Sequence, residues 1–198
     1  NYLLARENLT DHLEKKEKQG KIRQRLLKIR AKKVVLATGA LERPLIFNNN
    51  DRPGIMLSSA IKKYANFYGV ICGQKTVFFT NNDSAYESAF CLHNKGIKVE
   101  AIIDIRDNSN SKIVKAVEDV GIKIHWSHTV VDTSGYKRLK NISVMKLSND
   151  GMSVTGNRIE ISCDCLGVSG GWTPAVHLFT QSGGKLSFDE ENKVFLPN

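Results

Sequence analysis

The residues best placed to do chemistry in this chain are of a kind that holds a ligand rather than cleaves a bond. Val34-Val35-Leu36-Ala37 is an apolar, largely β-branched run that breaks at Thr38-Gly39-Ala40, which predicts a buried strand stopping at a tight turn. Glycine at such a turn allows close approach of a bulky partner, and free backbone amides beside it can face a pyrophosphate. Any parallel strand ending in a loop would look the same. A second strand-to-turn passage is Phe79-Thr80-Asn81-Asn82-Asp83-Ser84-Ala85. In a dinucleotide-binding unit this turn reads G-x-G-x-x-G/A, so that the pyrophosphate can sit against a helix N-terminus. Here Thr80 and Asn82 stand where the two key glycines belong. Asn tolerates positive φ, so the turn can survive, but a Cβ at residue 80 lies where a phosphate would come close. The better reading is a degenerate, nucleotide-poor site. The amides near Ser84 remain able to face a small anion.

Asp104 lies about 20 residues beyond that turn, where an acid can hold a ribose hydroxyl. In a live site it favours NAD over NADP, although Arg106 two residues on blurs that preference; an ordinary loop acid is the alternative. The third glycine passage is Ser169-Gly170-Gly171, at the end of the apolar run Cys165 to Val168.

Reactive chemistry finds little support. Cys72, Cys91, Cys163 and Cys165 include no C-x-x-C pair, which argues against disulfide reductase activity. Cys163-x-Cys165 in a strand would send both thiols to one face, short of the four ligands of a structural metal site. Buried or half-buried thiols in a reducing compartment fit better. His125-x-x-His128 falls in a strand-like region, so no metal is expected. No nucleophile–base pair stands out, and no catalytic residue is assigned.

Of the 198 residues, 41% are hydrophobic and 25% charged, which suits a chain that buries a real core. No apolar run approaches the ~20 residues of a membrane span, and the start shows neither an initiator Met nor a signal peptide. The expectation is an internal fragment of a cytoplasmic protein, away from membranes. The formal net charge of +9 comes from dispersed basic residues, with runs only at Lys15-Lys16 to Lys18 and Lys21 to Lys33. Without aromatic residues interleaved among them, nucleic acid is not an expected partner.

Patterning supplies the elements. Tyr2 to Leu9 and Arg25 to Ile29 are expected strands around a polar connector, followed by a strand over Lys33 to Leu36. Ser58 or Ser59 could cap a helix whose Ile61, Tyr64, Ala65 and Tyr68 share one face, with Gly69 as its stop. Thr76 to Phe79, a helix with a Ser84/Glu87 capping box ending at Gly96, and Lys98 to Ile103 make a βαβ unit. A helix over Lys112 to Val120 and a strand over Ile122 to Trp126 follow. The period then changes to two, with strands at Thr129 to Asp132, Leu139 to Leu147, Met152 to Thr155 and Arg158 to Cys163. Alternating β and α followed by a β meander predicts a three-layer α/β fold of Rossmann type.

Several of these segments carry a family resemblance. Thr38-Gly39-Ala40 resembles the crossing segment of flavoproteins with two dinucleotide-binding domains, and Asp83-Ser84-Ala85 the turn of thioredoxin-reductase-like members. Ser169-Gly170-Gly171 is similar to their last contact segment, where glycine backbone faces a cofactor; a plain strand-ending turn is the alternative. More specifically, Arg30 to Pro44, Asn50-Asp51-Arg52-Pro53-Gly54-Ile55-Met56-Leu57, Thr80 to Tyr86 and Val168-Ser169-Gly170-Gly171-Trp172-Thr173-Pro174 to Leu178 resemble the α subunit of heterotetrameric sarcosine oxidase. The resemblance implies three parts: residues 1–45 end a first dinucleotide-binding domain, 46–168 form a second, NAD(P)-type one, and 169–198 return to the first. It also implies FAD/NAD(P)-type binding, with Thr38, Gly39, Ala40, Asn82, Ser84, Asp104, Gly170 and Gly171 as cofactor contacts. The parent subunit would carry NAD and the complex FAD and FMN. Its partners would be the other subunits of a hetero-oligomeric oxidase, acting on a small amine. The fragment itself is expected to be inactive and could bind no cofactor. A related amine-, opine- or proline-oxidising flavoenzyme subunit, or a non-catalytic assembly module, remains open.

Overall fold

A computed structural model describes residues 2–198; Asn1, where the first expected segment begins, lies outside them. The chain opens with a hairpin, β1 (Tyr2–Asn8) and β2 (Gln24–Arg30), paired antiparallel. β3 (Ala40–Glu42) and β4 (Ile55–Leu57) lead into the short helix α1 (Ser58–Lys63). Then come β5 (Thr76–Thr80), α2 (Ser84–Asn94), β6 (Val99–Asp104), α3 (Lys112–Asp119) and β7 (Ile124–Trp126). The meander is β8 (His128–Ser134), β9 (Asn141–Leu147) and β10 (Val154–Ser162). β11 (Cys165–Ser169) returns to the main sheet, and β12 (Trp172–Pro174) pairs antiparallel with β3. Helix α4 (His177–Gln181) and the hairpin of β13 (Leu186–Asp189) and β14 (Val194–Pro197) complete the described chain.

The main sheet is parallel, with the order β4-β11-β5-β6-β7. Its central strand, Thr-Val-Phe-Phe-Thr, is buried at every position, as expected of a parallel strand covered on both faces. Period-two alternation divides it. Phe78 packs with Ile61, Ala85, Tyr86, Ala89, Leu92, Val114 and Val117 in the helical layer. Val77 and Phe79 pack with Val130, Leu139, Ile142 and Val144 of the meander layer. The three layers, helices, parallel sheet and antiparallel meander, are the α/β Rossmann-like architecture that the pattern predicts. Gly167 on β11 leaves room for the Phe78 ring, since an added Cβ would lie 2.6 Å from two of its carbons.

Local expectations change in several places. Lys33 to Leu36 joins no strand ladder, and Val35 is 90% exposed. Met152 to Thr155 and Arg158 to Cys163 fuse into one strand, β10, whose register shifts between Thr155 and Ile159. Gly156 there has φ +76°, so what read as a turn is a bulge within a ladder. Tyr64 and Tyr68 do not join the buried face of their helix. After Lys63 the backbone widens into a π turn over Tyr64–Tyr68, which leaves both tyrosines exposed while Ile61 and Ala65 are buried. Neither serine side chain caps α1. The Glu42 carboxylate accepts from the Ser59 N–H at 2.9 Å, and Ser58 Oγ donates to Ser88 Oγ. The Ser84/Glu87 box does not form either, because Glu87 pairs with Lys62 at 3.0 Å. Cys163 and Cys165 point to opposite sides of the main sheet, into the meander and helical cores respectively. Alternation placed them on one face only if the strand were continuous, whereas β10 ends at Ser162 and β11 begins at Cys165 in a different sheet.

Candidate functional site

The crevice that such a sheet offers a ligand lies where strand order reverses, at the carboxyl ends of the strands. In this sheet that point is between β5 and β11, and the turn from β5 into α2 occupies it. Thr80 is fully buried, and its hydroxyl donates to the Asn82 carbonyl at 3.0 Å and accepts from the Asn82 N–H at 3.1 Å. The turn therefore closes on a threonine side chain where a glycine would leave space. Asn82 is not among the residues with positive φ. Its value lies in the carboxamide instead. Oδ1 accepts from the Ser84 N–H at 3.0 Å, capping α2, and from Ser84 Oγ at 2.5 Å. Nδ2 donates to the Ser169 carbonyl at 3.2 Å and to Ser169 Oγ at 3.1 Å, tying β5 to β11 across the crevice. Over the same helix end, Trp172 Nε1 donates to Ser84 Oγ at 3.0 Å.

Asp104, expected to hold a ribose, instead has both oxygens engaged from within. It is 0% exposed. Oδ2 accepts from the Tyr86 hydroxyl at 2.7 Å and from Arg106 Nη2 at 2.8 Å, and Oδ1 from the Arg106 N–H at 2.9 Å. Arg106 Nη1 reaches on to Asp83 at 2.8 Å, beside the start of α2. Burial opposes the charge on Arg106, yet the hydrogen bonds it donates to Asp104 and Asp83 raise its pKa above the ordinary guanidinium value. Burial likewise works against Asp83, but Arg106, Ser111 and Ser109 hold its carboxyl below the usual range. Burial, then the Asp104 charge, pushes the Tyr86 hydroxyl well up, so it stays a donor.

The other candidates lie on the β3–β12 ribbon. Ala40 pairs with Pro174, Leu41 with Thr173 and Glu42 with Trp172. At one end Thr38 Oγ1 donates to the Ala175 carbonyl at 2.7 Å, and the Ala175 N–H donates to Gly39 O at 2.9 Å. At the other end Arg43 and the glycines exchange bonds: Arg43 N–H to Gly171 O at 2.8 Å, and Gly170 N–H to Arg43 O at 2.6 Å. A Cβ on Gly170 would sit 2.9 Å from the Pro44 carbonyl oxygen, and one on Gly171, at φ +103°, would sit 2.9 Å from Arg43 Nη2. What approaches these two glycines is the protein's own Arg43–Leu45 segment. Gly39 is different. It has φ +67°, and an added Cβ would meet nothing within 4 Å. It opens onto a groove of about 1090 Å³, lined by Leu4, Val34, Leu36, Thr38, Val176 and Phe179 among others.

Thr38 and Gly39 thus line this groove, with Ala40 beginning β3 just beyond it; Asn82, Ser84 and Asp104 stand at the crevice, and Gly170 and Gly171 at the join between them. Trp172, Tyr86, Arg106 and Glu42 were not among the expected site residues. The Asp104-x-Arg106 spacing at a strand end was the one local signal of an ion pair. Among the described residues no group of three or more His, Cys, Asp or Glu could hold a metal. Burial pushes the thiols of Cys163 and Cys165 up to about 12 each, so both stay protonated at neutral pH. His125 and His128 face each other at 5.5 Å, and burial, then the charges of Lys123 and His128, lowers the pKa of His125.

No family model matches the chain. Along its whole length it is similar to curated proteins. It is 40% identical over 197 residues to the sarcosine oxidase subunit alpha of Corynebacterium sp. (strain U-96), covering all of this chain and 20% of that protein. The subunit of the same name from Rhizobium meliloti (strain 1021) is 38% identical over 173 residues, covering 87% of this chain and 16% of its own length. The chain therefore spans about a fifth of the curated relatives it matches. Among solved structures, L-proline dehydrogenase from P. horikoshii superposes with a TM-score of 0.60 at 25% identity, over 87% of this chain and 28% of that one. Thioredoxin reductase from T. acidophilum gives 0.61 at 16% identity, over 87% and 59%. The fold is that of FAD/NAD(P)-binding oxidoreductases.

Proposed function

We propose that this chain, similar along its own whole length to part of sarcosine oxidase α subunits, is the nucleotide-type fold and connecting ribbon of such a subunit in a hetero-oligomeric, cytoplasmic oxidase. The parent complex oxidises sarcosine to glycine. The amine chemistry takes place on a flavin held by another subunit, with FAD and FMN in the complex and NAD in the α-type subunit. The observation that carries this reading is the 40% identity maintained over the full chain.

Of the two places that could meet a cofactor, the groove at Thr38-Gly39 fits one. Its wall is lined mostly by apolar side chains, and Gly39 leaves open space beside its Cα. Leu4, Val34, Leu36 and Phe179 would flank a planar ring there, and Gly39 would admit its close approach. When bound, a dinucleotide supplies redox or binding capacity. This chain's own residues exclude water and set the position of the ring.

The decisive experiment is to express the complete subunit with its genomic partner subunits and follow oxygen consumption with sarcosine and with L-proline. Sarcosine-dependent formation of peroxide and glycine is the expected outcome. Turnover of proline alone would move the assignment to a proline-oxidising relative, a reading supported by the 25% identity to L-proline dehydrogenase. No turnover of either, in a folded and flavin-loaded complex, would leave an assembly module.

A further inference from the structure

We infer that the crevice between β5 and β11 is filled by the chain's own side chains and works as a joint between the ribbon and the sheet, closed to pyridine dinucleotides. The inference rests on the fold and is independent of the sarcosine reading. A dinucleotide in such a crevice needs three things: a bare turn and free amides for the pyrophosphate, a gap at the strand switch, and an exposed acid for the ribose. Each is taken. The Thr80 side chain closes the turn, and the Asn82 carboxamide holds the Ser84 N–H at 3.0 Å. The switch is stitched by Asn82 to Ser169, with the Trp172 indole lying over the helix end on Ser84 Oγ. Asp104 is spent on Tyr86 and Arg106.

Charge points the same way. Asp83 sits at the first turn of α2, where an anion is favoured by the helix dipole, and Arg106 bridges it to Asp104. Two carboxylates share one guanidinium at the place a pyrophosphate would bring further negative charge. The arrangement already provides the anion that this helix end attracts.

The filling is also mechanical. Trp172 lies opposite Glu42 in the β3–β12 ribbon, and Glu42 in turn accepts from the Ser59 N–H of α1. The path Glu42–Trp172–Ser84–Asn82–Ser169 runs from the ribbon to both sides of the switch point. Trp172 is therefore a positioning residue that fixes the ribbon, and with it Thr38-Gly39, relative to the parallel sheet.

The test uses the complete subunit titrated with NAD⁺ and NADP⁺ by calorimetry, alongside Asn82→Ala, Asp83→Asn and Trp172→Phe variants. The expected result has two parts. The affinity of the subunit for either dinucleotide changes less than twofold in Asn82→Ala and Asp83→Asn, and Asn82→Ala and Trp172→Phe lower the melting temperature. A tenfold loss of dinucleotide affinity in Asn82→Ala or Asp83→Asn would overturn the closed crevice. An unchanged melting temperature in both Asn82→Ala and Trp172→Phe would overturn the joint. If the alanine variant fails to fold, the emission of Trp172 in the 198-residue chain carrying Trp126→Phe, where it is the one tryptophan left, decides instead. It should not respond to NAD⁺ up to millimolar concentration, and saturable quenching would show a ligand at the indole. Sarcosine turnover is read separately, so a failure of the oxidase assignment leaves these readouts interpretable.

Discussion

At the scale of single residues, the physics turns on which polar groups find partners inside. Tyr86 is fully buried and donates a hydrogen bond to Asp104, itself fully buried. Removing the hydroxyl in Tyr86→Phe leaves a buried carboxylate one donor short, which costs roughly 1–3 kcal/mol. Chemical denaturation at neutral pH should show that loss without a change in dinucleotide affinity. Asp83 gives a pH dependence. Its pKa is depressed in the folded state, so its contribution to stability is present above the ordinary carboxylate value of 3.8 and is lost as pH falls through the folded value. Stability measured downward from pH 5 should therefore drop less steeply in Asp83→Asn than in the natural protein. Gly39 carries the complementary prediction. At φ +67° and with open space around it, Gly39→Val meets no clash but resists the left-handed backbone, at about 1–3 kcal/mol. It also places a branched side chain in the groove. Calorimetry of the complete subunit should show weaker dinucleotide binding, and unchanged affinity would remove the groove from the cofactor site.

At the scale of elements, sequence patterning was most informative where one period persists over a covered surface. β5, α2, β6 and α3 follow from an apolar strand, a 3.6-residue repeat and glycine stops, because each buries its pattern against the same sheet. Patterning failed where a partner distant in sequence decides the outcome. The caps of α1 and α2 come from Glu42 and Asn82, not from the serines that local rules favour. The glycines at 170 and 171 are explained by Arg43 and Pro44, more than a hundred residues earlier, which no local spacing reveals. Likewise Asp104 was legible as an acid at a strand end, while its burial depended on Tyr86 arriving from α2 to close on it beside the adjacent Arg106. Gly170→Ala tests the close approach. Its Cβ would fall 2.9 Å from the Pro44 carbonyl oxygen, and since backbone must shift to relieve it, the expected loss is about 1–3 kcal/mol. A melting temperature equal to that of the natural protein would mean that the ribbon tolerates separation at that end.

At the scale of the whole molecule, the chain divides into a part that covers itself and a part that does not. The parallel sheet is closed on one face by α1, α2 and α3 and on the other by the meander, and β5 is buried throughout. The β1–β2 hairpin, by contrast, is a two-stranded sheet with both edges unpaired. The nearby run Val34 to Leu36 is apolar, joins no ladder and lines the open groove. Exposed apolar surface of this kind marks a contact still to be made, and the relatives, about five times longer, have the chain to make it. Amide exchange separates the two parts, because protection follows burial and hydrogen bonding. With the 198-residue chain alone, amides of β5 and β11 should exchange slowly and those of residues 34 to 39 quickly. In the complete subunit the second set should slow by at least tenfold while β5 stays unchanged, which makes β5 the internal check that the short chain is folded. Equal, fast exchange of residues 34 to 39 in both proteins would show that the groove stays open in the complete subunit. The apolar wall beside Gly39 would then have to be covered by a ligand rather than by protein.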